Sequence, residues 1–123
     1  MLSSQPIGVK TRTQLKVLFV CSRNQWRSPT AEVLFRRDDR VEARSAGTVA
    51  SAKRRINERD IEWADLILVM ERKHAATLRR QFPHIDKAAL HILDVPDEYK
   101  FMDEELVELI RLAAEPLIGR RAR

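Results

Sequence analysis

The sequence predicts an α/β protein: a four-stranded parallel sheet between helices on both faces, a three-layer α/β/α sandwich. Three observations lead there. Short runs apolar on every residue, such as Val17-Leu18-Phe19-Val20, suit strands covered on both sides. Stretches with apolar residues at helical spacing separate these runs. The strict alternation of the two calls for right-handed crossovers and a parallel sheet.

The elements follow in order. Lys16 to Val20 reads as the first buried strand, and Ser28 to Arg37 as a helix with Ala31, Leu34 and Phe35 on one stripe. Val41 to Ser45 alternates and ends near Gly47, a second strand. Asn57 is suited to cap a short helix that turns Ile61 and Ala64 inward. Asp65 to Met70 is a third strand. Arg72 to Phe82 follows as a helix with Ala75, Leu78 and Phe82 in register, stopped by Pro83. Ala88 to Leu93 is the fourth strand. Asp103, Glu104 and Glu105 favour the start of a last helix. Leu106, Leu109, Ile110, Ala113 and Leu117 form its apolar face, with a break or kink expected at Pro116. Residues 1–14 are polar and aperiodic and read as a flexible leader, 15–118 as one domain, and 119–123 as a basic tail.

Composition bounds the function. The chain has 123 residues, 44% apolar and 33% charged, which suits one compact domain with a real core. No apolar run is long enough to cross a bilayer, and the first residues lack the apolar centre of a signal peptide, so no membrane association is expected. The net charge of +5 would attract phosphorylated or acidic partners. Aromatic residues are only 6% and show no stacking pattern, so nucleic acid is not an expected partner. The three histidines have no zinc-like spacing, and neither a metal nor a cofactor is expected.

The chemistry concentrates in one place. Cys21, the only cysteine, ends the first strand, and Arg27-Ser28-Pro29 opens the helix six residues later. A strand that turns directly into a helix points several backbone N–H groups at one spot, a nest for a phosphate-sized anion. The turn Ser22-Arg23-Asn24-Gln25-Trp26-Arg27-Ser28 would line that nest. Arg27 adds a two-pronged charged contact. Positive surroundings also favour the thiolate form of a cysteine, and a thiolate facing a bound phosphate is a phosphatase nucleophile. A lone cysteine at a strand end is more commonly a small buried hydrophobe. The Cys-x5-Arg-Ser spacing favours the reactive reading. The leaving oxygen needs an acid, for which Asp94 and Asp97 are the candidates.

With its flanks, the run Val17 to Glu32 resembles the signature of the low-molecular-weight protein tyrosine phosphatases. Ser45-Ala46-Gly47-Thr48, Ala64 to Met70 and Val95-Pro96-Asp97-Glu98-Tyr99 resemble later family stretches in the same order. The resemblance spans residues 15 to 118 and looks closest to a short branch of predicted phosphatases. It implies the fold of those phosphatases and a phosphocysteine intermediate on Cys21. It implies Arg27 as the phosphate clamp and Asp97 as general acid and then base, leaving Asp94 as a turn or cap residue. Ser28 would donate to the Cys21 sulfur, with Asn24, Ser28 and Ser45 supporting the loop. Trp26 and Tyr99 would form the substrate wall.

Four departures stand out. Arg23 occupies a position where the family usually has glycine. Trp26 stands where many members carry a second cysteine. The segment from Thr48 to Asn57 is short, and Lys100 replaces a tyrosine of the acid loop. The expected function is therefore a metal-independent phosphomonoester hydrolase acting on a phosphorylated protein or a small phosphomonoester. The expected enzyme is cytoplasmic, and a monomer or weak dimer. The alternative on the same fold is a phosphate-binding module with little turnover. Arsenate reduction as in the family's thioredoxin-coupled relatives would need further cysteines to pass a disulfide outward.

Overall fold

The computed structural model describes residues 14–121. The leader expected over residues 1–14 lies almost wholly outside this range, as do the last two residues of the basic tail. Four strands, β1 (Leu15–Cys21), β2 (Val41–Gly47), β3 (Leu66–Val69) and β4 (Leu90–Ile92), alternate with α1 (Arg27–Arg36), α2 (Glu58–Trp63), α3 (Arg72–Gln81) and α4 (Glu104–Arg121). All pairings are parallel and the sheet order is β2-β1-β3-β4.

Side chains of a strand alternate between faces, so each face builds its own core. Val17, Phe19, Leu66 and Leu68 pack under α1 and α4 with Ala31, Phe35, Leu106, Ile110, Ala114 and Ile118. Leu18, Val20, Ile67 and Val69 pack under α2 and α3 with Ile61, Ala75 and Leu78. The expected sandwich is the one observed.

Three details differ from expectation. The fourth strand is shorter, because Lys87–Ala89 forms a 3-10 turn capped by the Asp86 carboxylate, which accepts from the Ala88 N–H. The buried stripe of α4 is Leu106, Ile110, Ala114 and Ile118, with Ala113 and Leu117 at its margin. The helix also runs past Pro116 to Arg121. Proline removes the N–H that would bond the carbonyl of Leu112, and Leu112 faces solvent, where water can replace that donor. As expected, Asn57 caps α2: its side chain accepts from the Asp60 N–H, and the Asp60 carboxylate accepts from the Asn57 N–H.

The crossover from β2 to β3 passes over β1, so the chain reverses direction across the sheet beside the carboxyl end of β1. Open parallel sheets bind ligands at such a point. Gly47, which closes β2 opposite Cys21, has its place there for lack of a side chain. A Cβ would lie 2.6 Å from the carbonyl oxygen of Ser22, 2.9 Å from the amide nitrogen of Asn24 and 2.5 Å from Ala52 Cβ. Two of these atoms are backbone and cannot swing aside. Gly47→Ala should therefore cost about 1–3 kcal/mol, the range for overpacking a tight site. It should also weaken anion binding by displacing the turn after Cys21. Urea unfolding together with phosphate titration checks this, and a variant of wild-type stability and affinity would contradict it.

Candidate active site

The turn joining β1 to α1 is inverted by three hydrogen bonds. The carbonyls of Cys21, Ser22 and Arg23 accept from the N–H groups of Thr48, Val49 and Lys53, at 3.0 to 3.1 Å. With those carbonyls drawn outward onto the segment after β2, the intervening N–H groups are left to face inward. Among the described residues, none of the amides of the turn donates to a backbone carbonyl outside regular helix and strand bonding. The first N–H groups of α1 add to the same cluster. The short segment from Thr48 to Asn57 thus acts as the turn's buttress.

Asn24 makes the bend, at φ 54°. Left-handed backbone is tolerated by asparagine better than by most residues. Arg23 does not take a positive φ, so the usual glycine is not required there. The Asn24 amide donates to both Ser28 Oγ and Ser45 Oγ at 2.9 Å. The Ser45 hydroxyl in turn donates to the Glu32 carboxylate. Ser28 Oγ, having accepted from Asn24, is left with one proton, and Cys21 Sγ lies 3.0 Å away. That proton has two acceptors within reach, the sulfur and, at 3.4 Å, the carbonyl of Ala46, so the chain of hydrogen bonds ends on a hydroxyl that can donate to either. Ser28 does not cap α1; it sits one position inside the helix, after Trp26 and Arg27.

A cavity of about 340 Å³ opens over Cys21, lined by Ser22, Arg23, Gln25, Trp26, Arg27, Lys73 and Asp97. Arg27 is only 2% exposed. A buried guanidinium is tolerated only when its donors are paired. Its Nη1 donates to Val95 O at 2.8 Å and to the Glu71 carboxylate, and its Nε lies 3.8 Å from Asp97 Oδ1. Arg27 thereby brings the acid candidate to the cavity over Cys21. Asp94 adopts φ 60° before Val95 and does not line the cavity, so it behaves as a turn residue. Tyr99 packs against the core under α1 and α4 and is not part of the lining, whereas Trp26 is. Of the two residues expected as an aromatic wall, Trp26 alone lines this cavity.

Glu71, Lys73 and His74 were not anticipated. They follow β3, whose Val69 pairs with Val20, so the start of α3 lies beside the turn. The available signal was positional: residues just past the end of a strand neighbouring β1 must flank Cys21. Burial raises the pKa of Glu71, but the hydrogen bond and charge of Arg27, aided by Lys73 and His74, more than offset this and hold it below the usual range. For His74, burial dominates and Arg27 and Lys73 act in the same direction, against Glu71 and Asp97, leaving a pKa of about 4. His74 is thus neutral at physiological pH.

The family model described as low molecular weight phosphotyrosine protein phosphatase matches residues 16–63, which include β1, the turn, Gly47 and its buttress. Solved structures extend the likeness to most of the chain. A low molecular weight protein tyrosine phosphatase from Streptococcus pyogenes is 22% identical, covering 87% of this chain and 93% of its own, with a TM-score of 0.73. A low molecular weight phosphotyrosine phosphatase from Vibrio cholerae is 26% identical over 86% of this chain and 95% of its own, at 0.71. The YwlE arginine phosphatase from Geobacillus stearothermophilus is 26% identical over 88% and 90%, at 0.64. No curated protein matches the sequence. The chain thus shares the fold of the low-molecular-weight protein tyrosine phosphatases, and the stretch that carries the turn matches their family model.

The depressed pKa of His74 has a consequence for stability. Its ordinary value is 6.5, so between that pH and about 4 the unfolded chain binds more protons than the folded one. The stabilisation is fully present above about pH 6.5 and is lost as pH falls through 4, amounting to roughly 3 kcal/mol. Unfolding midpoints measured across this window should fall steeply for the wild type and less for His74→Gln. Parallel curves for the two proteins would contradict the assignment.

Proposed function

We propose that the protein is a cysteine-dependent phosphomonoester hydrolase that needs no metal and works through a phosphocysteine intermediate. The observation that carries this reading is the convergence of Cys21 Sγ, an inward-facing cluster of amides, the buried Arg27 and Asp97 on one cavity. The cavity supplies a nucleophile, fixed donors for the non-bridging oxygens, and a proton source.

In the first step the Cys21 thiolate attacks phosphorus in line with the ester oxygen. The sulfur–phosphorus bond forms, the phosphorus–oxygen bond breaks, and Asp97 protonates the departing oxygen. The amides and Arg27 hold the three equatorial oxygens, where charge is spread in the transition state. In the second step water attacks the phosphocysteine, Asp97 takes its proton, and the sulfur leaves as a thiolate. The Ser28 hydroxyl, 3.0 Å from Sγ, stabilises that leaving thiolate. Such a nucleophile requires reducing surroundings, a need met in the cytoplasm.

Arg23 and Lys73 at the rim favour a phosphorylated, acidic segment of protein as substrate over a neutral ligand. Similar solved structures bear the names of tyrosine phosphatases and of an arginine phosphatase. Both chemistries attack a phosphoryl group, so a peptide panel carrying phosphotyrosine and phosphoarginine tells which one this cavity serves.

The test is turnover of an aryl phosphate. Cys21→Ser should abolish it while leaving phosphate binding largely intact, since the turn's amides are unchanged. Arg27→Lys keeps the charge and loses the planar fork, and should cost on the order of a hundredfold. Phosphate binding without turnover in the wild type would make the protein a binding module instead.

Asp97→Asn tests the acid separately. It should slow substrates with poor leaving groups, such as alkyl phosphates, far more than nitrophenyl phosphate, whose leaving oxygen hardly needs a proton. Asp94→Asn should leave this leaving-group dependence unchanged. The reverse pattern would transfer the role to Asp94.

A further inference from the structure

His74 is a buried titratable side chain, 1% exposed, for which the reaction sequence above has no use. Both of its ring nitrogens are engaged. The Glu71 N–H lies 3.0 Å from Nδ1, and a backbone amide can only donate, so Nδ1 carries no proton. The neutral ring therefore bears its proton on Nε2, which lies 2.9 Å from Ser22 Oγ. Ser22 Oγ is consequently the acceptor in this pair. Its own proton has to be donated elsewhere, and the side chain lines the cavity over Cys21. Among the described residues no other side-chain partner takes it.

We propose that Ser22 contacts the substrate through its hydroxyl, which donates to an oxygen of the phosphoryl group held over Cys21, with His74 as the positioning residue that fixes the direction of that donation. This goes beyond the amide cluster, where residue 22 contributes only its backbone, and it rests on the reading of the cavity as a phosphate site. The groups that face His74 are Arg27 from α1, Glu71 and Lys73 from the start of α3, and Asp97 from the segment after β4. A protonated ring would need to donate from Nδ1 and would collide with the Glu71 N–H. The arrangement therefore persists throughout the neutral range, and the hydroxyl proton is available whenever the anion arrives.

The experiment measures binding of inorganic phosphate and of vanadate by calorimetry, alongside KM and kcat for an aryl phosphate. Ser22→Ala should weaken phosphate about tenfold or more, as for a lost hydrogen bond to a charged group. Ser22→Thr, which keeps the hydroxyl, should bind nearly as the wild type. His74→Leu should weaken phosphate to a similar extent, and the double variant Ser22→Ala/His74→Leu should be no worse than either alone. His74→Gln, whose amide can still donate to Ser22, should recover most of the loss.

A merely structural histidine would instead give additive losses and no recovery by glutamine, and that outcome overturns its positioning role. Unchanged phosphate affinity in Ser22→Ala overturns the contact itself. Should His74→Leu fail to fold, the comparison of Ser22→Ala with Ser22→Thr decides. A wild-type protein that binds phosphate but does not turn over leaves this test intact and rejects only the hydrolase reading. A wild type that binds no phosphate rejects both.

Discussion

Everything at the site depends on three backbone carbonyls being turned away from it. Had the oxygens of Cys21, Ser22 and Arg23 pointed into the bend, the cavity would repel an anion, whatever side chains surrounded it. Their bonds to Thr48, Val49 and Lys53 fix the orientation. The bonds are possible only because Gly47 lets the turn lie within van der Waals distance of the chain leaving β2. The left-handed residue Asn24 then completes the inversion and spends its side chain on holding Ser28 and Ser45. A preorganised set of donors of this kind costs no reorganisation when charge develops on the substrate. Its cost lies in folding: strained backbone and buried polar groups, offset by a core on each face of the sheet.

Arg27 is the second constraint, because a buried guanidinium must be paired at all times. Glu71 and the Val95 carbonyl share Nη1, while Asp97 faces Nε from the solvent side of the cavity. One cation thus draws together three segments: the turn, the start of α3 and the loop after β4. The acid candidate is kept near Cys21 by the same charge that would clamp the phosphate. Glu71 also uses its backbone amide to orient His74, so a single residue organises both the charged and the neutral hydrogen bonds on this side.

The sequence made the strands and helices legible because their signals are local. Runs such as Val17 to Val20 and Leu66 to Val69 are apolar at every position, and only a strand covered on both faces requires that. Asn57 marked a helix start that the structure reproduces, and Asp60, three residues on, completes the cap. The Cys21 to Ser28 spacing was legible for the same reason, being a contiguous strand–turn–helix. What depends on the order of strands across the sheet was not legible. Nothing local to Glu71-Arg72-Lys73-His74 says that β3 lies next to β1, so Arg72 onward was read as an ordinary amphipathic helix and Glu71 drew no notice. Tyr99 shows the converse: the family resemblance suggested the cavity, whereas its half-buried ring packs against the margin of the core. Pro116 was weighed by local rule alone, and the helix continues through it on the face where Leu112 is exposed to solvent.

The central claim is that Cys21 becomes covalently phosphorylated. Rapid acid quenching of the protein during turnover of an aryl phosphate, followed by mass spectrometry of its peptides, measures this directly. The account predicts a peptide containing Cys21 heavier by one phosphoryl group, appearing within the first turnover and absent in Cys21→Ser. Sustained turnover with no phosphorylated peptide, or with the phosphoryl group on another residue, would contradict it.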